Sequence, residues 1–153
     1  MNITLLTIGK MKKGSPEFEI MTGYIKQCKW PIIVKEFEEK RTLSVDELKK
    51  AESTLLLNAI PPKAVVIAMD EKGRQMTSRE FSQYLVNCQN RGVSDVVFLI
   101  GGANGHTDML RQKANLLLSM GKMTMPHMLV RAVLTEQLFR ACCIAHHHPY
   151  HRD

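Results

Sequence analysis

Short apolar segments of strand length alternate with longer segments of helical pattern along this chain. The strand candidates are Ile3–Ile8, Pro31–Phe37, Ala64–Met69 and Val96–Ile100. Strands with so few polar residues are typical of parallel sheets, in which helices cover both faces. The sequence therefore predicts an α/β fold with a largely parallel sheet flanked by helices.

Capping residues mark the start of the first three predicted helices. Ser15 is a good N-cap and is followed by Pro16, which is favoured in the first helical turn. The segments Ser44–Glu47 and Thr77–Glu80 both have the form of a capping box, in which side chains bind the free N–H groups of the first turn. The predicted helices run from Ser15 to about Lys29, from Ser44 to before Pro61, and from Thr77 to about Arg91.

The C-terminal part continues the same alternation. We expect a turn at Asp70–Gly73, a helix from about Thr107 to Ser119, a brief fifth strand at Lys122–Met125, and a long helix from His127 to about Ala145. Apolar residues along the last helix form a broad stripe that is typical of a buried face. Within that helix Arg131 and Arg140 interrupt the apolar pattern, which indicates either an ion pair, with Glu136 as a candidate partner, or an interface.

A glycine loop, Gly101–Gly105, directly follows the fourth apolar strand. Such a loop offers backbone N–H groups to a ligand at the carboxyl end of a parallel strand, although it is also what a tight strand-to-helix turn requires. It matches neither the dinucleotide fingerprint nor the Lys-Ser/Thr ending of a phosphate-binding P-loop. Met69 and Asp70 end another buried strand and are candidates for the same crevice, with a turn-capping role as the alternative for Asp70.

Three further segments carry candidate functional groups. Met120–Met125 is apolar and flexible enough to wrap a planar ligand, but methionines at this spacing are also common in cores. His127 begins a helix, where an uncharged or capping histidine is as plausible as a catalytic one. The terminal segment His148–Arg152 lacks the partners of a zinc site and fits contact with phosphates and bases better.

The charge balance favours an anionic partner. Lysine and arginine number 21 against 15 acidic residues, a formal net charge of +6. Nucleic acid is the commonest partner of such a domain, and simple solubility is the alternative. The four cysteines show no zinc or C-x-x-C spacing, and no apolar stretch approaches the roughly 20 residues of a membrane helix. We therefore expect reduced thiols in a cytoplasmic protein with no membrane contact.

Taken together, four segments resemble the RlmH family of SPOUT-class methyltransferases over essentially the whole chain. They are the motif Leu99-Ile-Gly-Gly-x-x-Gly105, the segment Met123–His127, the helix that carries Arg131, Glu136 and Arg140, and the terminal His148–Arg152. The resemblance implies an enzyme that uses S-adenosylmethionine, without a metal, to methylate N3 of a pseudouridine in helix 69 of 23S ribosomal RNA.

The same resemblance implies the architecture and the partners. We expect one SPOUT domain over residues 1–153, with a C-terminal trefoil knot at about 95–153, which is an exception to the rule that chains do not thread loops. The family works as a homodimer, with the cofactor pocket near the interface. The expected substrate is 23S ribosomal RNA within the ribosome, as 70S particles or 50S subunits.

Site residues carry over by position from this resemblance. Cofactor contacts are expected at Met69, Gly101, Gly102, Gly105, Met120, Gly121, Lys122, Met123, Thr124 and Met125. The groups on the RNA side are expected at His127, Tyr150, His151 and Arg152. Ala103, Asn104 and Asp153 depart from the residues that the family often has at these positions.

The implied reaction requires removal of the N3 proton. His151 or Tyr150 can serve as the base, or Arg152 can stabilise the anionic ring while water takes the proton. We favour Arg152 as the stabilising group and His151 as the base, and expect Lys10, Lys12, Lys13 and Arg152 to contact phosphates. The alternatives are a nucleotide-dependent α/β enzyme and a non-catalytic protein that binds RNA or assists ribosome assembly.

Overall fold

The computed structural model describes residues 1–153 and contains five strands and five helices. The strands are β1 (Asn2–Ile8), β2 (Ile32–Phe37), β3 (Val65–Gln75), β4 (Asp95–Ile100) and β5 (Leu116–Ser119). The helices are α1 (Pro16–Gln27), α2 (Val45–Asn58), α3 (Ser78–Asn90), α4 (Asp108–Lys113) and α5 (His127–Ala145).

The strands form one parallel sheet in the order β2-β1-β4-β3-β5. At its centre Leu5 of β1 lies between Val34 of β2 and Phe98 of β4, and Ile67 of β3 pairs with Phe98 from the other side. The predicted parallel α/β architecture is therefore confirmed. The order brings the carboxyl ends of β3, β4 and β5 together at one edge, where ligands of such sheets bind.

Helices cover the sheet on both faces because successive strand residues point to opposite sides. Ile3 and Leu5 of β1 belong to the larger apolar cluster, which α3 and α5 complete and against which α1 packs. Leu6 and Ile8 point the other way, into a smaller cluster completed by Leu56 of α2 and Leu110 of α4. None of the helices is long and apolar enough to cross a membrane.

The predicted capping residues are confirmed. The side chains of Ser15, Ser44 and Thr77 each accept a hydrogen bond from the backbone N–H three residues later. Only Thr77 makes the full reciprocal box, because the Glu80 carboxylate also accepts from the Thr77 backbone N–H at 2.7 Å. The long C-terminal helix also has the predicted bounds, His127–Ala145, but Pro126 occupies its N-cap position. A capping role for His127 is therefore wrong.

The turn predicted at Asp70–Gly73 is wrong, because β3 continues to Gln75. A bulge interrupts its pairing with β5, so that Met69 and Arg74 both align with Leu118. The carboxylate of Asp70 instead forms an ion pair with Arg111 of α4, with 2.7 Å between Oδ2 and Nε. Pairing with a strand distant in sequence thus overrides the local preference of an Asp-x-x-Gly segment for a turn.

The predicted helix at Thr107–Ser119 is also wrong in its second half. It ends at Lys113, and Leu116–Ser119 forms the edge strand β5. Asn115 causes the change: its backbone N–H donates to the Val66 carbonyl at 2.8 Å, and its side-chain oxygen accepts from the Val66 N–H at 2.7 Å. These bonds start the pairing with β3. The strand predicted at Lys122–Met125 does not form, and these residues make a loop.

Candidate functional site

A cavity of about 700 Å³ opens at the carboxyl ends of β3, β4 and β5 and beside the start of α5. Its volume lies within the range of about 300–1,000 Å³ that is usual for small-molecule sites. Its lining includes most residues that the sequence assigned to a ligand: Met69, Gly101, Gly102, Gly105, Met120, Gly121, Met123, Thr124, Met125 and His127. Asp70, Glu71, His106 and Arg111 line it as well.

The glycine loop after β4 is packed so closely that a Cβ atom at either of its first two positions would force a neighbouring side chain to shift. A Cβ atom on Gly101 would lie 3.1 Å from Cε1 of His106, and one on Gly102 would lie 3.0 Å from Oε2 of Glu52. Gly105 has a φ of +75°, which side-chain-bearing residues rarely adopt. The loop is therefore held between an imidazole and a carboxyl group, with its backbone available at the cavity wall.

His106 is buried beneath this loop, and neither ring nitrogen has a hydrogen-bond partner. Burial lowers its pKa, and the Asp70 charge and the nearby carbonyls of Leu99 and Met69 offset this only in part. The imidazole is therefore neutral at pH 7. It is a polar but uncharged group in the cavity lining. The pKa of the other histidine of the cavity, His127, is also lowered, which favours its neutral form.

Glu52 reaches the same loop from α2. It is 8% exposed, and its Oε1 has no hydrogen-bond partner. Burial raises the pKa of this carboxyl group, with a smaller effect from Glu39. The sequence interpretation missed both His106 and Glu52. Glu52 is distant in sequence from the glycine loop that it contacts, and the burial of the His106 side chain beneath the loop is visible only in the structure.

The loop between β5 and α5 is tied to the bulge of β3. Thr124 Oγ1 donates to Oε2 of Glu71 at 2.8 Å. Ser119 Oγ lies 3.0 Å from the Glu71 carbonyl oxygen and 2.8 Å from that of Gly121, so its single proton is shared between these acceptors. Of the residues that the sequence assigned to a ligand in this segment, Lys122 is exposed and does not line the cavity.

His127 lies in the first turn of α5 at the cavity wall. Burial and the neighbouring Arg131 charge both lower its pKa. Arg131 itself is fully buried and binds Glu36 at 2.7 Å and the carbonyl oxygens of Ile8 and Gly9 at 2.8 Å. The predicted ion pair with Glu136 is therefore confirmed for Arg140 and is wrong for Arg131.

The terminal segment docks elsewhere, on the side of α5. The Tyr150 hydroxyl donates to Oε1 of Glu136 at 2.9 Å and lies 3.2 Å from the Tyr24 hydroxyl, while the Arg140 guanidinium stacks over the Tyr150 ring. Burial, with the bonds to Tyr24 and Glu136, raises the pKa of Tyr150. The tyrosine is thus held as a neutral phenol.

The last three residues extend this docking. His151 Nδ1 lies 3.2 Å from Nη1 of Arg140, and its Nε2 lies 3.1 Å from Oδ1 of Asp153. Asp153 also pairs with Arg79 of α3, and this partner holds the pKa of Asp153 at about 2. Arg152 is exposed and makes no ion pair. The chain end is therefore ordered, and its one unpaired cation faces solvent.

The sequence-derived site residues consequently form two groups. Glu136, to which Tyr150 is bonded, lies about 13 Å farther along the α5 axis than His127, at 1.5 Å rise per residue. Within one chain, the structure does not bring Tyr150, His151 and Arg152 to the cavity that His127 lines.

The chain is similar to known proteins over essentially its whole length. The family model described as "Predicted SPOUT methyltransferase" matches residues 1–151. Proteins named "Ribosomal RNA large subunit methyltransferase H" are similar: that of Paramagnetospirillum magneticum is 49% identical over 152 residues, 99% of each chain. That of Rhodospirillum rubrum is 41% identical over 153 residues, the full length of both chains.

A solved structure supports the fold. The chain matches "a probable methylase family protein" from Haemophilus influenzae Rd KW20 with a TM-score of 0.56 and 11% identity, over 99% of this chain and 71% of that one. At this identity the match concerns the architecture alone.

Proposed function

Because the chain belongs to the SPOUT methyltransferase family, whose model spans residues 1–151, we propose that it methylates large-subunit ribosomal RNA with S-adenosylmethionine as the methyl donor. Relatives that match over 99% of both chains are named for large-subunit ribosomal RNA methylation. The observation that carries the proposal is the cavity at the carboxyl ends of β3, β4 and β5, lined by the glycine loop. Family membership also disfavours an ordinary nucleotide-dependent enzyme.

The cavity residues fit this cofactor in size and chemistry. Gly101 and Gly102 let the loop pack closely on His106 and Glu52 while its backbone stays at the cavity wall, where an adenosine group would bind, and Gly105 allows the turn that follows. Methionine side chains at positions 69, 120, 123 and 125 offer polarizable apolar contacts. Asp70 is paired with Arg111, whereas the Glu71 carboxylate at the mouth of the cavity has no ion pair and accepts a hydrogen bond from Thr124.

The cofactor supplies an activated methyl group on its sulfonium, and the protein supplies geometry. A rigid cavity that holds donor and acceptor in a near-attack arrangement can contribute about 7–11 kcal/mol. The glycine loop, the β3 bulge and the β5–α5 loop form three walls of this cavity, which supports such a positioning role.

We further propose N3 of a pseudouridine in helix 69 of 23S ribosomal RNA as the methyl acceptor. Its proton must leave, and the raised pKa of Tyr150 disfavours a tyrosinate base. His151 stays the favoured base, for which one ring nitrogen must release Arg140 or Asp153. His127 is a second candidate, since its lowered pKa keeps it neutral and able to accept a proton. Arg152, exposed and unpaired, is proposed to stabilise the anionic ring.

The separation of the two residue groups supports a homodimer. One chain presents the cavity with His127, and its own tail docks about 13 Å away along α5. We propose that the tail of a second copy completes the site. We also propose one domain over residues 1–153 with a trefoil knot at about 95–153, acting in the cytoplasm on 70S particles or 50S subunits.

A transfer assay tests the activity. Ribosomes that lack the modification are incubated with the protein and labelled S-adenosylmethionine, and mass spectrometry of RNA fragments locates the methyl group. We expect transfer to one pseudouridine. Absence of transfer to both 70S particles and 50S subunits would contradict the proposal and leave a non-catalytic RNA-binding role.

Two inactive variants test the composite site. Gly102→Val displaces the glycine loop at the cavity wall, because its side chain meets Glu52 and Ile8, and Arg152→Ala removes the tail cation while leaving cofactor binding intact. If the tail of one copy serves the cavity of the other, mixed dimers of the two variants contain one intact site and regain transfer. Arg41→Ala, at an exposed arginine that pairs only with Glu39, is the control with full activity. Inactive mixed dimers would contradict the composite arrangement.

A further inference from the structure

We propose that Glu71 is a positioning residue for the cofactor loop: its carboxylate holds Thr124 and thereby fixes residues 119–125 over the cavity. The inference rests on the proposed function, because it concerns the loop that would contact S-adenosylmethionine. It assigns a role to a residue that the sequence places only in a turn.

The loop between β5 and α5 is not held by strand pairing. Residues 122–125 form no strand, and Met123 is 85% exposed. The loop must nevertheless leave β5 at Ser119 and reach the start of α5 at His127 while lining the cavity. Its conformation therefore depends on side-chain hydrogen bonds rather than on a ladder of backbone bonds.

Those hydrogen bonds converge on Glu71. Thr124 Oγ1 donates to its carboxylate at 2.8 Å, and Ser119 Oγ lies 3.0 Å from its carbonyl oxygen. Gly121 is held in turn, because its N–H donates to Ser119 Oγ at 3.1 Å. One residue of the β3 bulge thus anchors the loop at both ends, across a sequence separation of 53 residues to Thr124.

The bulge in β3 makes this possible. Met69 and Arg74 align with the same residue of β5, so residues 70–73 leave the regular pairing, and the Glu71 side chain reaches Thr124. Asp70 is engaged by Arg111 and cannot take the same role. A loop already held in its bound conformation loses less entropy when a ligand binds, which raises affinity.

The test measures binding of S-adenosylhomocysteine by calorimetry, so that it does not depend on methyl transfer. Glu71→Ala and Thr124→Val each remove one side of the hydrogen bond, and each is expected to weaken binding about tenfold. The double variant is expected to bind no more weakly than either single variant, because both act on one interaction. Glu71→Gln keeps an acceptor oxygen and is expected to restore binding to within about threefold of wild type.

Hydrogen exchange supplies a second readout. Amides of residues 119–125 should exchange faster in Glu71→Ala, while those of β1 and β4 stay unchanged. Glu38→Ala, at an exposed carboxylate, is the charge-matched control and should alter neither binding nor exchange.

Three results would overturn the inference: additive losses in the double variant, Glu71→Gln binding as weakly as Glu71→Ala, or unchanged binding in both single variants. The first two would assign separate roles to Thr124 or to the Glu71 charge. If wild-type protein fails to bind S-adenosylhomocysteine, the proposed function fails with it. If the wild type binds and the variants do not differ from it, only this inference fails.

Discussion

Arg131 Nη1 lies 2.7 Å from Glu36 Oε2, although the arginine side chain is fully buried and the glutamate side chain is 32% exposed. The guanidinium also binds the carbonyl oxygens of Ile8 and Gly9, where β1 ends. A buried cation with this set of partners fixes the start of α5, and hence His127, against the end of β1.

Removal of the partner charge should therefore be costly. We expect Glu36→Leu to lower the free energy of unfolding by about 3 kcal/mol, since it leaves a buried guanidinium without its counter-ion. The measurement is urea unfolding at pH 7. The double variant Glu36→Leu/Arg131→Met should recover part of the loss, because no unpaired charge is then buried. A loss below about 1 kcal/mol in the single variant, as for an exposed ion pair, would contradict this account.

Gly73 should be intolerant of any side chain. A Cβ atom there would lie 2.6 Å from both C and O of Leu117, which are backbone atoms of β5 and cannot move aside alone. We expect Gly73→Ala to reduce stability by about 1–3 kcal/mol through overpacking. Gly23, inside α1 with open space around it, is the control: Gly23→Ala should raise stability by about 0.5–1 kcal/mol. Equal effects at the two sites would refute the packing argument.

His106 should make stability depend on pH. Its pKa is lowered in the folded protein, so the unfolded chain binds more protons below about pH 6.5, the ordinary value. Its contribution to stability is therefore complete above that pH and is lost as pH falls toward the folded-state pKa. His106→Leu lacks this loss and also replaces two unpartnered nitrogens, so it should be more stable by about 1 kcal/mol at pH 7.

Urea unfolding of both proteins at pH 7.5 and pH 5 tests this. The difference in stability between His106→Leu and wild type should increase at pH 5, while Glu52 and His127, whose pKa values are also shifted, are present in both proteins and cancel. A difference that is the same at both pH values would show that folding does not lower the pKa of His106.

The docked tail should depend on the Tyr150 hydroxyl. Tyr150→Phe loses the hydrogen bonds to Glu136 and Tyr24, and we expect a loss of about 1 kcal/mol. Faster hydrogen exchange at residues 148–153 would show that the tail has loosened. Tyr84→Phe, at a tyrosine without side-chain hydrogen bonds, is the control. If both variants leave the tail equally protected, ring packing on Phe139 rather than the hydroxyl holds it.

The sequence predicted the parts of the fold whose signals are local. The apolar runs at β1 and β4 and the caps at Ser15 and Thr77 each carry their own pattern, and all are confirmed. Leu116–Ser119 carries no such local pattern. A short apolar run that follows a helical pattern has no periodicity by which a strand can be told from a helix. Only its pairing with β3, started by Asn115, decides the outcome.

The same limit applies to the candidate site. The glycine loop was found because strand, glycines and helix are consecutive in sequence. The contact of Glu52 with Gly102 and the hydrogen bond of Glu71 with Thr124 join residues about fifty positions apart. The separation of the tail from the cavity depends on where Glu136 lies along α5, which no sequence motif encodes.

The position of β1 between β2 and β4 has a consequence for synthesis of the chain. During translation β1 can pair with β2 early, but its other edge pairs with β4. The edge of β1 that pairs with β4 stays unpaired until Ile100 has left the ribosome. The edge of β3 that pairs with β5 stays unpaired until Ser119 has left as well. Long-range parallel pairing of this kind is slow and exposes apolar edges. The nascent chain is therefore expected to need protection from aggregation for most of its synthesis.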